Sequence, residues 1–138
     1  MKLVDIEAIR RAVERAESQT SGQIRVSVST LFWGDVRHAA HRAFVRLGME
    51  QTRQRNGILL FIVPSRRRFA VVGDQGIHDR VGQDFWDGVA KAISERFHKG
   101  DFTGGIIHGV ETVGQQLAQH FPPVPGGPNE LPDDVDLG

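Results

Sequence analysis

Four aspartates, Asp35, Asp74, Asp79 and Asp84, fall in or beside segments that follow runs of β-forming residues. Carboxylates are hard oxygen donors, and several of them converging at one edge of a sheet would hold Ca2+ or Mg2+. Asp74 sits inside Gly73-Asp74-Gln75-Gly76, between an apolar run and a helical turn. Glycines there let backbone approach a ligand, and the N–H groups of a helix start favour anions; the same four residues also read as an ordinary turn. Asp74, Asp35 and Asp79 are therefore the candidate metal ligands, with Trp33, Asn56, Gly73 and Gly76 as the walls of an adjoining pocket. Asp35 and Asp84 read equally well as helix N-caps. The acids do not follow the EF-hand series, so no spacing forces them together.

Other chemistries find less in the sequence. Cysteine is absent, which excludes disulfides, thiolate nucleophiles and Cys-ligated zinc. His38 and His41 lie three apart on one helix face, but no His-Glu-x-x-His pattern surrounds them. No Gly-x-Ser-x-Gly elbow supports a serine nucleophile. The Gly-Asp-Gln-Gly loop lacks the third glycine of a dinucleotide fingerprint, and no Gly-Lys-Ser/Thr makes it a phosphate loop. Arg66-Arg67-Arg68 joins Arg37, Arg42, Arg46, Arg53 and Arg55 as material for a basic patch. Tyrosine is absent and the phenylalanines fall on core stripes, so nucleic acid is disfavoured as a partner. The triple arginine reads as a solvated turn that blunts aggregation. Phe32-Trp33 either walls a pocket or closes the end of the core.

The elements that must position these residues follow from periodicity. The chain has 138 residues, enough for one domain with its own core. Ile6, Ile9, Val13 and Ala16 mark a helix over 5–18. Ile24 to Ser29 alternates apolar and polar, as a strand with one buried face does. Val36, Ala39, Ala40, Ala43, Phe44 and Leu47 stripe a second helix, with Gly48 where a C′ glycine belongs. Residues 49–56 are a polar connection. Ile58 to Val63 is a run of six apolar residues, as in a strand buried on both faces. It turns on Pro64-Ser65-Arg66-Arg67 and returns as Phe69–Val72. A helical turn at 76–82, a helix from Asp84 to His98 and a helix capped by Asp101 or Thr103 complete the body. This order predicts a three-layer α/β/α sandwich over residues 1–121, with a small mixed sheet containing one hairpin.

Residues 122–138 are rich in proline, glycine and acid and carry no apolar period, so they read as a mobile tail. All 17 Lys and Arg precede Pro122, whereas Glu130, Asp133, Asp134 and Asp136 follow it; a neutral chain thus divides into a basic body and an acidic end. No secretory leader and no membrane span is expected, so the expected location is cytoplasmic.

Four blocks together resemble the TPM-domain family, which includes thylakoid-lumen phosphatase-like and photosystem-repair proteins. They are Thr20–Val26, Asn56–Leu60, Arg68–Ile77 and Phe102–Gly109, within roughly residues 5–121. The chain is most similar to the short stand-alone bacterial form, in which an ending like Asn129-Glu130-Leu131-Pro132-Asp133 recurs. The resemblance implies an α/β/α sandwich and an acidic pocket at a sheet edge that holds a divalent cation, calcium in some members. One plant member is described as an acid phosphatase. Relatives commonly place Glu where this chain has Gln23, which lowers the charge available to a cation.

Without a recognisable nucleophile–base pair, the expected function is that of a non-enzymatic, divalent-cation-binding interaction domain. Its expected partner is a protein, in a membrane-associated assembly or quality-control process. The alternative is a metal-assisted acid phosphatase acting on phosphate monoesters, with Asp74 and a neighbour holding the ion that activates water.

Overall fold

The computed structural model describes residues 4–124 and 135–138. Helix α1 (Ile6–Glu17) opens on Asp5, whose carboxylate accepts the N–H of Ala8. Strand β1 (Gln23–Val28) leads by a loop to α2 (Val36–Arg46), capped by Asp35 through the N–H of Arg37. Gly48, at φ 70°, ends that helix in the left-handed conformation expected of it. A short 3-10 turn, Met49–Gln51, precedes β2 (Gly57–Val63), and a second one, Pro64–Arg66, turns the chain into β3 (Arg68–Gly73). Then come α3 (Gln75–Val81), α4 (Gln83–His98) and α5 (Phe102–His120). Asp101, not Thr103, caps α5; the Thr103 hydroxyl instead accepts the N–H of Asp5, tying the first helix to the last. Asp84 lies in the first turn of α4 and caps nothing.

The sheet has the order β1-β2-β3, with β1 and β2 parallel across α2, and β2 and β3 antiparallel across the hairpin. Every residue of β2 is buried. Its even-numbered side chains join α1, α4 and α5 in one core with Ile24, Val26, Ile93, Phe97, Ile106 and Val110. Leu59, Phe61 and Val63 point the other way, into a smaller core under α2 with Ala40, Phe44 and Met49. Helices on both faces make the predicted three-layer sandwich. The continuous apolar run of β2 is what such double coverage demands.

Strand β1 departs from expectation. Its alternation predicts one solvated face, yet Ser27 is completely buried. The cover comes from the acidic end of the chain. Asp136 bridges to β1 like the start of a parallel fourth strand, taking the N–H of Val28 (2.7 Å) and giving its own to the carbonyl of Val26 (2.9 Å). Its carboxylate accepts from Ser27 Oγ and from Arg46, both at 2.8 Å. Burial raises the Asp136 pKa, but the hydrogen bonds from Arg46 and Ser27 prevail and hold it below the ordinary value. The expectation of a loose tail over 122–138 therefore fails at Val135–Gly138, because a specific ion pair needs no apolar period. Residues 125–134 lie outside the described part of the chain. Among the described residues no helix is long and apolar enough to cross a membrane.

Candidate functional site

The hairpin separates the predicted acids. The register runs from Ile58 opposite Gly73 to Val63 opposite Arg68, five steps or roughly 17 Å of strand. Because β3 runs back against β2, the loop after β3 lies at the opposite end of the sheet from the loop after β1. Asp35 and Asp74 thus occupy the two ends. Asp79 is exposed on α3, where it accepts from the Gln75 side chain. The expected convergence of Asp35, Asp74 and Asp79 does not occur, and no group of three potential ligands is present among the described residues.

At the Asp74 end, two loops close on each other. Asp74 donates its N–H to the carbonyl of Gly57, and Gly76 donates to that of Arg55 (2.9 and 2.8 Å). A Cβ on Gly76 would strike the backbone carbonyls of Gln54 and Arg55, and one on Gly73 would strike the Trp86 ring. Both glycines are contact points between packed segments; Gly73 also lines the cleft along β3 described below, whereas Gly76 lies under the backbone of the Gln54–Arg55 loop. The Asp74 side chain, only 6% exposed, takes a two-pronged bond from Arg55: Nε to Oδ2 at 2.6 Å and Nη2 to Oδ1 at 2.8 Å. It also accepts the N–H of Gln75, capping α3. Asp74 in turn raises the pKa of the Arg55 guanidinium above its ordinary value, mainly by that hydrogen bond.

This arrangement does not fit a divalent cation. The positive charge beside Asp74 is already supplied by Arg55, and both carboxylate oxygens are engaged. Gln23, at this same end, brings no charge. Asn56 is buried with its Oδ1 lacking a partner among the described residues, but one amide oxygen falls far short of six to eight ligands.

The opposite end is open. The β1–α2 loop and the hairpin turn meet there around a cleft of about 750 Å3, where, among the described residues, Arg37, Arg66, Arg67, Arg68 and His98 face a single acid, Asp35. Asp35 is committed to its helix cap. Arg66 Nη1 is buried without a hydrogen-bond partner among the described residues. Beside the cleft, Phe32 and Trp33 are 81% and 82% exposed. With that exposure they do not close the core, and neither is among the residues lining this cleft, because the loop carries them outward before Asp35 restarts the chain as α2.

The arginines also divide differently than their number suggests. Arg46 and Arg55 are taken up by Asp136 and Asp74, while Arg37 joins the hairpin arginines. The sequence offers those arginines for a basic patch, but the triplet reads as a solvated turn and nothing local marks His98. The available signal was the parallel pairing of β1 and β2, which brings the loop after β1 to the hairpin end.

A second cleft, of about 460 Å3, runs along β3 from Phe69 to Gly73 and shares Arg37 and Phe69 with the first. Trp86 Nε1 donates to His78 Nδ1 (3.0 Å) at its side, which leaves any proton of a neutral His78 on Nε2.

The layers, the three-strand mixed sheet and the basic cleft at its end define an α/β/α sandwich domain. The chain belongs to the TPM domain family, whose model matches residues 3–116. It is similar to the solution structure of the BA42 protein from the psychrophilic bacterium Bizionia argentinensis, with 35% identity and a TM-score of 0.89 over 99% of this chain and 97% of that one. The N-terminal domains of cg2496 from Corynebacterium glutamicum and of a P. gingivalis protein share the fold at 18% identity. Their TM-scores are 0.63 and 0.69, covering 80% and 86% of this chain and 70% and 78% of theirs. No match was found among curated proteins.

Proposed function

We propose that this chain is a non-enzymatic interaction domain that grips a carboxylate-bearing protein partner at the arginine-lined end of its sheet. The observation that carries this reading is the joining of two features on one surface. Four arginines and His98 face one acid around an open cleft, and the two most exposed large apolar side chains of the described chain, Phe32 and Trp33, stand beside it. Aromatic anchors ringed by arginine are the composition of protein-binding hot spots. Guanidinium groups that meet no carboxylate among the described residues, as here, supply planar, two-pronged recognition of one; Arg67 lies over the Phe102 ring, 6.0 Å from its centroid. The phosphatase alternative loses its motivation, since the carboxylate meant to hold an ion is committed to Arg55 and to the cap of α3.

Titration of the 15N-labelled protein with poly-L-glutamate tests the reading. Amide shifts are expected at residues 31–37 and 64–69, together with the Trp33 indole signal, and they should fade as salt rises. The double variant Arg66→Glu/Arg68→Glu should abolish them. Absent shifts at low salt, or shifts indifferent to the charge reversal, overturn the proposal. Turnover of an aryl phosphate that disappears in a folded Asp74→Ala variant would restore the hydrolase reading.

A further inference from the structure

The two margins of the sheet are finished differently. In the parallel pairing of β1 with β2, Gln23 and Ser29 direct their N–H groups to β2, so the even-numbered residues between them face outward. Three of those outward groups are occupied: the Ile24 N–H donates to Glu17, the Val26 carbonyl accepts from Asp136 and the Val28 N–H donates to it. On β3, the bond from Asp74 N–H to the Gly57 carbonyl fixes the alternation of the antiparallel pair. Val72 and Ala70 then exchange bonds with β2, while Phe69, Val71 and Gly73 turn theirs outward. No further strand pairs with β3 among the described residues.

This margin is not a flat edge blunted by charge. It is the floor of the second cleft, between α2, which contributes Arg37 and His41, and α3 and α4, which contribute His78, Trp86, Asp87 and Ala90. The floor from Phe69 to Gly73 spans about 13 Å, room for some four or five residues of extended chain. Its end at Phe69 and Arg37 opens directly into the arginine cleft.

We propose that β3 accepts an extended segment of a partner protein as an added antiparallel strand, with Asp or Glu side chains at that segment's C-terminal end meeting Arg66–Arg68. This rests on the reading of the arginine face given above and adds the backbone recognition that would fix register there. Antiparallel addition is the more stable pairing, and it carries the C-terminal end of the segment toward the start of β3, where the arginines stand. Side chains of the segment would alternate between the α2 wall and the Trp86–Ala90 wall, so the sequence taken is one of alternating apolar residues followed by acids.

The test begins with a displayed library of random twelve-residue peptides panned against the intact chain. Enriched peptides should show that pattern, and hydrogen exchange at Phe69, Val71 and Gly73 should slow at least tenfold on binding. The best peptide is then resynthesised with single N-methyl groups. Methylation at alternate residues should weaken binding tenfold or more, and methylation between them should change it less than twofold; this leaves the protein untouched. Val71→Pro, which removes one outward N–H without breaking the β2 ladder, should act like the first set. Peptides that need Arg66 and Arg68 but ignore N-methylation remove the strand and leave the arginine face standing. A library that yields nothing overturns both. A dimer forming with these amides protected assigns the margin to a second copy, and binding to anionic vesicles without such protection assigns the face to lipid. Either result overturns the peptide.

Discussion

At one end of the sheet a buried carboxylate meets an arginine inside a closed contact between two loops; at the other, four arginines share a single acid that already caps a helix. Both ends are rich in loops, glycines and charge, and sequence alone made the first look like the site. The difference is whether a charged group is already answered from within the chain. Asp74 has Arg55 and the α3 backbone, so it holds the fold together. Among the described residues Arg37, Arg66, Arg67 and Arg68 are in no salt bridge, although Arg67 lies over the Phe102 ring and Arg66 Nη1 is buried.

The sharpest way to break this contrast is Gly76→Ala. The new methyl group would run into two backbone carbonyls that cannot swing aside, and a loss of about 3 kcal/mol is expected by denaturant unfolding. An unchanged midpoint would mean that the closed end is slack. Asp74→Ala comes next, with about 1–2 kcal/mol expected from the lost helix cap alone. Addition of Ca2+ to the native chain should leave the amides of Gly73–Gly76 unmoved; a saturable shift there would show that a cation displaces Arg55.

These first two outcomes also bear on what could be read in advance. The strand β2 was legible because burial on both faces leaves no polar position in its run. The helices were legible from their stripes, and the Asp35 cap and Gly48 stop from local chemistry. Asp35 and Asp74 were misplaced together because each follows a strand, and one reversal of direction at Pro64–Arg67 sends them apart. Ser27 looked solvated because its cover is more than one hundred residues away. Phe32 and Trp33 read either as the wall of a pocket or as the end of the core, because large apolar residues are usually covered. Their exposure depends on how a loop leaves β1, which no periodicity encodes.

A smaller effect concerns the covered margin of β1. Asp136→Asn should cost about 1 kcal/mol, through weaker bonds to Arg46 and Ser27. The same contact should respond to acid. Because the folded pKa of Asp136 is lowered, its contribution is complete above the ordinary carboxylate value of about 3.9 and disappears as pH falls through the lowered one. Loss of exchange protection at the Val28 amide on acidification should therefore be reduced or absent in Asp136→Asn, whose side chain does not titrate there. Least of all should Arg68→Glu, at an exposed position, change stability, by no more than about 0.5 kcal/mol, while weakening the poly-glutamate response. A large drop in stability would mean that this arginine serves the fold after all.

The hold of Asp136 on β1 has a practical side. A shortened chain designed to stop where the helical pattern ends would lack Val135–Gly138, and Val26 and Val28 would be left with idle backbone groups. The sheet would then present two adhesive margins in place of the one seen among the described residues. Molecules with two such margins can join in open rows, so the trimmed domain is expected to precipitate or form filaments under conditions in which the intact chain stays in solution.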